Sequence, residues 1–391
     1  MHILYISALA SQAAIEDARC RDKTFRGYAI QKFSRLLAEG LAENHCVVTA
    51  LSTFYLPRVG HGYRRKTEQS GGVTYKYVSS PNFRPLRYAW LIIVCFFYVL
   101  FFGLKHSKDK VIICDALNVS ACLGALAAAW CTGLRCVGLV TDMPGLIVGN
   151  NTGNEKVSFA ARVNKRYLSH FSHYVFMTEL ANEVINVFKR PYIIMEGLVD
   201  GRMEVSRKEV CDGKRVVMYA GGLMERYGLR MLVDGFIKAD VENSELWLFG
   251  SGSFSHELCD YERKDPRIRY FGIRPNQEVV EAELKATLLV NPRPTHEEFT
   301  KYSFPSKNLE YMVSGTAVLT TRLPGMPKEY YPFVYLFDAE NSDAYSTVLR
   351  HILNLPIEEL NSKGKKAREW VLENKNHIKQ SRRVVSLLEN Q

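Results

Sequence analysis

Ser306, Lys307 and Glu310 fall within one short run, Phe304-Pro305-Ser306-Lys307-Asn308-Leu309-Glu310-Tyr311-Met312-Val313-Ser314-Gly315. Apolar stretches that read as strands, Ala286 to Asn291 and Ala317 to Thr321, stand on either side. Pro305 suits the first turn of a helix, where its missing N–H costs nothing. Ser306 and Lys307 then sit at the helix N-terminus, where free backbone N–H groups and the helix dipole favour an anion. Glu310 follows Lys307 at i+3, on the same helix face. A phosphate-seeking start with a carboxylate one turn deeper suits a nucleotide. Dipole, hydroxyl and ammonium would take the diphosphate, and the carboxylate would accept from ribose hydroxyls. The plainer reading is a capped helix with a surface lysine and an ordinary glutamate, and these residues alone leave both open.

The elements that must position this run alternate between strand and helix, the pattern of a doubly wound parallel sheet. A first series of strands runs through His2–Ser7, Cys46–Ser52, Val73–Ser79, Val111–Asp115, Cys136–Thr141, His173–Thr178 and Tyr192–Glu196. A second restarts at Arg215–Gly221 and continues through Glu245–Phe249, Ile268–Gly272, Ala286–Asn291, Ala317–Thr321 and Val334–Phe337. The 391 residues fit two α/β domains, expected at 1–200 and 201–375, with the connection in the polar stretch Arg202–Lys214. Ligands of open α/β sheets bind beyond the carboxyl ends of strands. That rule selects Gly221-Gly222, Gly250-Ser251-Gly252, Gly272-Ile273 and the segment from Glu297 to Lys307. Glycine lets a backbone approach a ligand with no side chain between. The loop Ala8 to Arg26 after the first strand is long enough to expect function there.

The run from Asn291-Pro292-Arg293 to Gly315, with Val318 to Gly325 and Tyr219-Ala220-Gly221-Gly222-Leu223, resembles the donor-binding half of bacterial family-four glycosyltransferases. The resemblance covers most of the C-terminal half and only loosely the N-terminal half. It implies a GT-B fold, two Rossmann-like domains facing a central cleft, with a last helix (376–391) crossing back onto the first. It further implies a retaining, metal-independent hexosyltransferase of surface polysaccharide biosynthesis that needs no cofactor. The donor would be a UDP- or GDP-sugar and the acceptor a lipid-linked glycan. The base would lie at Gly272 and Ile273, and the diphosphate near Gly27, Gly221, Gly222, Gly250, Gly252, Ser306 and Lys307. Where the family carries arginine and lysine in the first loop, this chain has Gly222 and Tyr227, and Arg226 would substitute. The family pairs glutamates eight apart, but Tyr302 stands eight before Glu310. An insertion before Phe304 would give the first role to Glu298, with Glu297 its competitor. Asp142, after the strand Cys136–Thr141, would face the sugar from the first domain or else cap a helix. A nucleotide-sugar 2-epimerase of the same fold and a non-catalytic sugar-nucleotide scaffold are the alternatives.

The formal charge of +10 calls for an anionic partner. Zinc-finger spacing, an RNA-binding aromatic signature and a basic low-complexity arm are all missing, which excludes the common nucleic-acid binders. Nine cysteines without a CxxC pattern point to reduced thiols in the cytoplasm, not to a disulfide framework or a metal site. Residues 1–104 carry 13 Lys and Arg against 6 Asp and Glu, a net +7. Within that basic quarter Tyr88 to Leu104 is uncharged, flanked by Arg84 and Arg87 and by Lys105, Lys108 and Lys110. A spanning helix needs about 20 apolar residues, with a range starting near 17. A buried core helix, a helix in the membrane interface and a true span all fit the composition. The next strand must rejoin the same sheet, which disfavours the span. With Arg58, Arg64, Arg65 and Lys66 nearby, peripheral contact with an anionic membrane at the inner face of the plasma membrane is expected.

Overall fold

The computed structural model describes residues 1–22, 25, 29–55, 67–105, 109–143, 166–203 and 213–389. Two compact units divide the chain: Met1–Asp200 with Asn376–Gln391, and Gly201–Lys375.

The first unit is built on eight strands: β1 (His2–Ser7), β2 (Val47–Ser52), β3 (Glu68–Ser70), β4 (Val73–Tyr77), β5 (Lys110–Asp115), β6 (Arg135–Val140), β7 (His173–Phe176) and β8 (Tyr192–Ile194). Their order is β3-β4-β2-β1-β5-β6-β7-β8. Every pairing is parallel except β3 with β4. The central strand β5 is buried throughout and alternates between two cores. Val111 and Ile113 join Leu37 and Leu41 of the helix Ala29–Glu43 and Val384, Val385 and Leu388 of the helix His377–Glu389. Ile112 and Cys114 join Leu91, Cys95 and Val99 on the opposite face. This double burial explains the unbroken apolar run of β5. The helix His377–Glu389 is fastened by the His377 N–H donating to Val199 O at 2.9 Å and the Ser381 hydroxyl donating to Leu37 O at 3.2 Å.

Two readings of the sequence are revised here, and a third is given its place. The expected loop Ala8 to Arg26 contains the helix Gln12–Arg21, capped by Ser11 accepting from Ala14 N at 3.0 Å. Its buried residues are alanines, Ala14 and Ala18, too small to give a clear periodic signal. The edge strand β3 is polar and three residues long, and Gly71 and Gly72, both with positive φ, close its hairpin to β4. The apolar run lies in the helix Arg84–Leu104, with both flanking strands, β4 and β5, in one sheet. One side of it therefore packs on the sheet. Leu91, Cys95 and Val99 face the sheet, while Trp90, Ile93, Phe97, Phe101 and Leu104 face outward.

The second unit has six parallel strands: β9 (Arg215–Gly222), β10 (Ser244–Ser251), β11 (Ile268–Gly272), β12 (Leu288–Asn291), β13 (Ala317–Thr320) and β14 (Tyr335–Leu336). Their order, β11-β10-β9-β12-β13-β14, reverses direction between β9 and β12. One sheet face packs Val217, Leu246, Leu248 and Val290 against the helices Leu229–Ala239 and Ser342–Leu353. The helices Ser306–Ser314 and Ile357–Asn374 pack together elsewhere in the unit, where the Arg368 guanidinium donates to Val313 O at 3.0 Å.

Candidate functional site

A crevice opens in a doubly wound sheet where the strand order reverses, at the carboxyl ends of the two strands concerned. In the second unit those ends are Gly221-Gly222 of β9 and Asn291 of β12, with Pro292 and Arg293 just beyond. The helix Ser306–Ser314 points its first turn at the same place. Two buried polar side chains fix it there. Asn308 accepts from Asn291 Nδ2 at 2.8 Å and donates to Thr320 Oγ1 at 3.3 Å, tying the helix to the ends of β12 and β13. The Tyr311 hydroxyl accepts from Ala220 N at 3.0 Å and donates to Ala220 O at 3.3 Å, tying it to β9 one residue before the glycines.

Held this way, Lys307 reaches across to β9. Its Nζ donates to the Tyr219 hydroxyl at 3.1 Å and lies 4.5 Å from the ring centre. The ammonium occupies the volume a side chain at Gly221 would need, and Gly221 also has φ +150°, so only glycine fits. Among the described residues no carboxylate lies within ion-pair distance of Lys307. Burial, then the positive charge of Arg293, bring its pKa down to about 7, while Glu310 and Glu283 act in the opposite direction. A lysine so placed is a strong receptor for a charge it does not yet have.

Two arginines share the neighbourhood. The Arg226 guanidinium pairs with Glu297 at 3.2 Å and lies 4.6 Å from the Phe299 ring centre. Its Nε is buried with no hydrogen-bond partner among the described residues. Arg293 lies 5.0 Å from the ring centre of Tyr227 and 5.2 Å from that of Phe299. A guanidinium stacked through its face, as that of Arg226 is, leaves an N–H such as its Nε for a planar or tetrahedral anion. Lys307, Arg226 and Arg293 thus bring three basic side chains to this crevice, with Glu297 paired to Arg226.

The glycine-bearing strand ends lie side by side. Gly250 is in register with Gly221, and Ser251 with Gly222. A Cβ on Gly250, which has φ +124°, would strike Gly221 O, and one on Gly252 would strike the Leu223 backbone. On the next strand Gly272 has φ +66° with open space above it, and Ile273 is exposed. Ser306 and Glu310 are exposed on the helix that carries Lys307.

Of the residues singled out in the sequence, Gly221, Gly222, Arg226, Gly250, Gly252, Ser306, Lys307 and Glu310 gather at this sheet edge. Glu298 is exposed at the start of the short helix Phe299–Tyr302, whereas its competitor Glu297 faces Arg226. Asp142 belongs to the first unit, exposed two residues beyond β6. Gly27 lies outside the described residues. Arg293, Asn308 and Tyr311 were missed. The signal for Arg293 was its place two residues beyond the end of β12, and for Asn308 and Tyr311 their i, i+3 spacing on the apolar helix face.

In the first unit the strand order reverses between β1 and β5. Their ends, Ser7 and Asp115, touch: the Ser7 hydroxyl donates to Asp115 Oδ2 at 3.4 Å, and Leu117 N donates to Oδ1 at 3.1 Å. Burial pushes the Asp115 carboxyl up to about 6, against the pull of those two donors. Neither residue was marked as a candidate, because neither strand end carries the glycines that mark those of the second unit.

Residues 214–354 match the family description Glycosyl transferases group 1. The solved structures similar to this chain include a sucrose-phosphate synthase from Thermosynechococcus elongatus, 14% identical with a TM-score of 0.69, covering 100% of this chain and 99% of that one. An Anabaena protein in complex with UDP is 12% identical with a TM-score of 0.64, covering 100% of both chains. A lipopolysaccharide outer core galactosyltransferase in its apo form is 13% identical with a TM-score of 0.63, covering 100% of this chain and 99% of that one. No curated protein sequence matches the chain. The likeness to these structures is one of fold: two α/β units with parallel sheets, as in GT-B glycosyltransferases.

Proposed function

We propose that the chain is a glycosyltransferase that binds a nucleoside-diphosphate sugar at the crevice between β9 and β12. The observation that carries this reading is Lys307. Its ammonium is buried in the gap above Gly221 under the charge of Arg293, where a diphosphate would supply a counter-charge. The group 1 match over the same residues supports the assignment, and UDP in the Anabaena neighbour makes a uridine donor the first to try. Glu310, one turn below Lys307, would accept from the ribose. Glu297 or Glu298 would stand by the transferred sugar, and Asp142 would contribute from the first unit.

The finer reading is a retaining, metal-independent hexosyltransferase of bacterial surface polysaccharide assembly. It would work in the cytoplasm with peripheral contact to an anionic membrane, where a lipid-linked acceptor is held. Lys307, the arginines and the helix N-terminus would stabilise the departing diphosphate. A thermal-shift screen of nucleotide sugars tests the donor site, since ligand at 100 times its Kd adds about 2.7 kcal/mol of stability. Stabilisation by at least one UDP- or GDP-sugar is expected, and none across the set would overturn the reading. Release of nucleoside diphosphate only when acceptor is present separates a transferase from a 2-epimerase. Undiminished turnover in EDTA is expected of the metal-independent form.

A further inference from the structure

The helix Arg84–Leu104 has two apolar faces, and the sheet covers only one of them. Leu86, Trp90, Ile93, Phe97, Phe101 and Leu104 recur at helical spacing on the outward side, with Ile93 50% and Phe101 61% exposed. The helix Val119–Thr132 lies beside it on the same sheet face. Gly124 of that helix sits against the backbone of Ile92 and Phe96, so the two helices run in close contact and their outward sides form one surface. The second helix adds Leu123 and Trp130, the latter 87% exposed. Neither helix carries an acidic residue, and the cations Arg84, Arg87 and Lys105 stand at the two ends of the first.

We propose that this two-helix surface is a platform that seats the first unit in the interface of an anionic lipid bilayer. The inference deepens the membrane contact proposed above and rests on that reading. Charge distribution selects the occupant. A second copy packed antiparallel on this face would set Arg84 and Arg87 against the partner's Lys105, and a parallel one would set like against like. No carboxylate on either helix relieves the repulsion. Anionic headgroups complement cations at both ends of an apolar strip, and aromatic rings with an apolar body suit the boundary between headgroup and acyl chain. The apolar side would enter by about 5–10 Å, with the helix lying in the plane. Each cation near the surface strengthens binding about fivefold.

Flotation of the full chain with vesicles of phosphatidylcholine containing phosphatidylglycerol, and with phosphatidylcholine alone, tests the platform. Co-flotation is expected with the anionic vesicles and should weaken as salt rises. The triple variant Ile93→Ser, Phe97→Ser, Phe101→Ser and the single variant Trp130→Ser replace exposed side chains, so circular dichroism and UDP binding should stay as in the parent. The triple variant is expected to lose at least about tenfold in vesicle partitioning. Flotation of the folded triple variant equal to the parent's would overturn the platform. So would a vesicle-free dimer that the same substitutions make monomeric, because a second copy would then cover the face. UDP binding read in parallel separates the readings: flotation without nucleotide binding sinks the donor site and leaves the platform, whereas nucleotide binding without flotation sinks the platform together with the membrane contact and leaves the donor site.

Discussion

Lys307 is a cation kept on the edge of losing its proton, and a diphosphate would reverse that. Above pH 7 the free protein holds the amine largely uncharged, whereas the phosphates favour the ammonium, so binding takes up a proton. Affinity for UDP is therefore expected to fall as pH rises from about 7.5 to 9, with proton uptake visible in calorimetry as a dependence of the heat on buffer. Lys307→Met should weaken binding by roughly 1.5–3 kcal/mol, the range for hydrogen bonds to charged groups, and flatten the pH profile. A profile as steep in the variant as in the parent would place the titrating group elsewhere. The same depressed pKa acts on folding with a definite sign. Between about 7 and 10.5 the unfolded chain binds more protons at this position, so its contribution to stability without ligand grows with pH. Asp115 has the opposite sense. With its pKa raised to about 6, the folded chain holds the extra proton between the ordinary carboxylate value and 6, and stability from this group is lost as pH rises through that window. Asp115→Asn keeps an acceptor for Leu117 N and removes a buried charge. It is expected to leave stability at pH 7.5 unchanged or higher in urea melts, and a marked loss would show that the carboxylate itself is required.

The elements do what single residues cannot: they bring Lys307 and Gly221, 86 positions apart in sequence, into one volume. Tyr311 is the hinge pin of that arrangement. Tyr311→Phe keeps the ring's volume but leaves the buried Ala220 amide without its acceptor, a loss of about 1–3 kcal/mol in denaturant unfolding. Nucleotide binding should weaken with it; an unchanged affinity would detach the helix position from the site. The parallel sheets were legible because β5, β12 and β13 are unbroken apolar runs and the strand-to-helix turns carry glycine. Ser306, Lys307 and Glu310 were legible from a helix start with phosphate-seeking residues in its first turn. The rest was not, and for particular reasons. Arg226 was reached only through the resemblance, as the substitute for a displaced arginine, and nothing in the sequence showed its stacking on Phe299 or its pairing with Glu297. Arg293 follows a proline in an irregular stretch, where no periodicity ranks one residue over its neighbours. The helix Arg84–Leu104 reads as uniformly apolar, so the side that meets the sheet cannot be told from the other until Gly124 shows where the neighbouring helix lies.

At the scale of the molecule, the second unit, Gly201–Lys375, is an insertion into the first. Its chain leaves after Asp200 and returns at Asn376, where Val199 pairs with Asn376 in a parallel bridge. A fragment comprising that unit has its own sheet and core. It is expected to unfold cooperatively and to retain UDP binding through Lys307. A fragment without cooperative unfolding would show that the unit depends on the rest. The same connectivity inverts the order of assembly on the ribosome. The helix His377–Glu389, whose Val384, Val385 and Leu388 complete a core begun by Ile3 and Tyr5, is translated only after the entire inserted unit. At about 5–20 residues per second the interval from Gly201 to Glu389 is about 10–40 s. Throughout that wait the groove on the helix Ala29–Glu43 that receives Ser381 stays uncovered, while the outward strip of the helix Arg84–Leu104 is already made. A nascent chain in that state carries two apolar surfaces, of which synthesis closes only one.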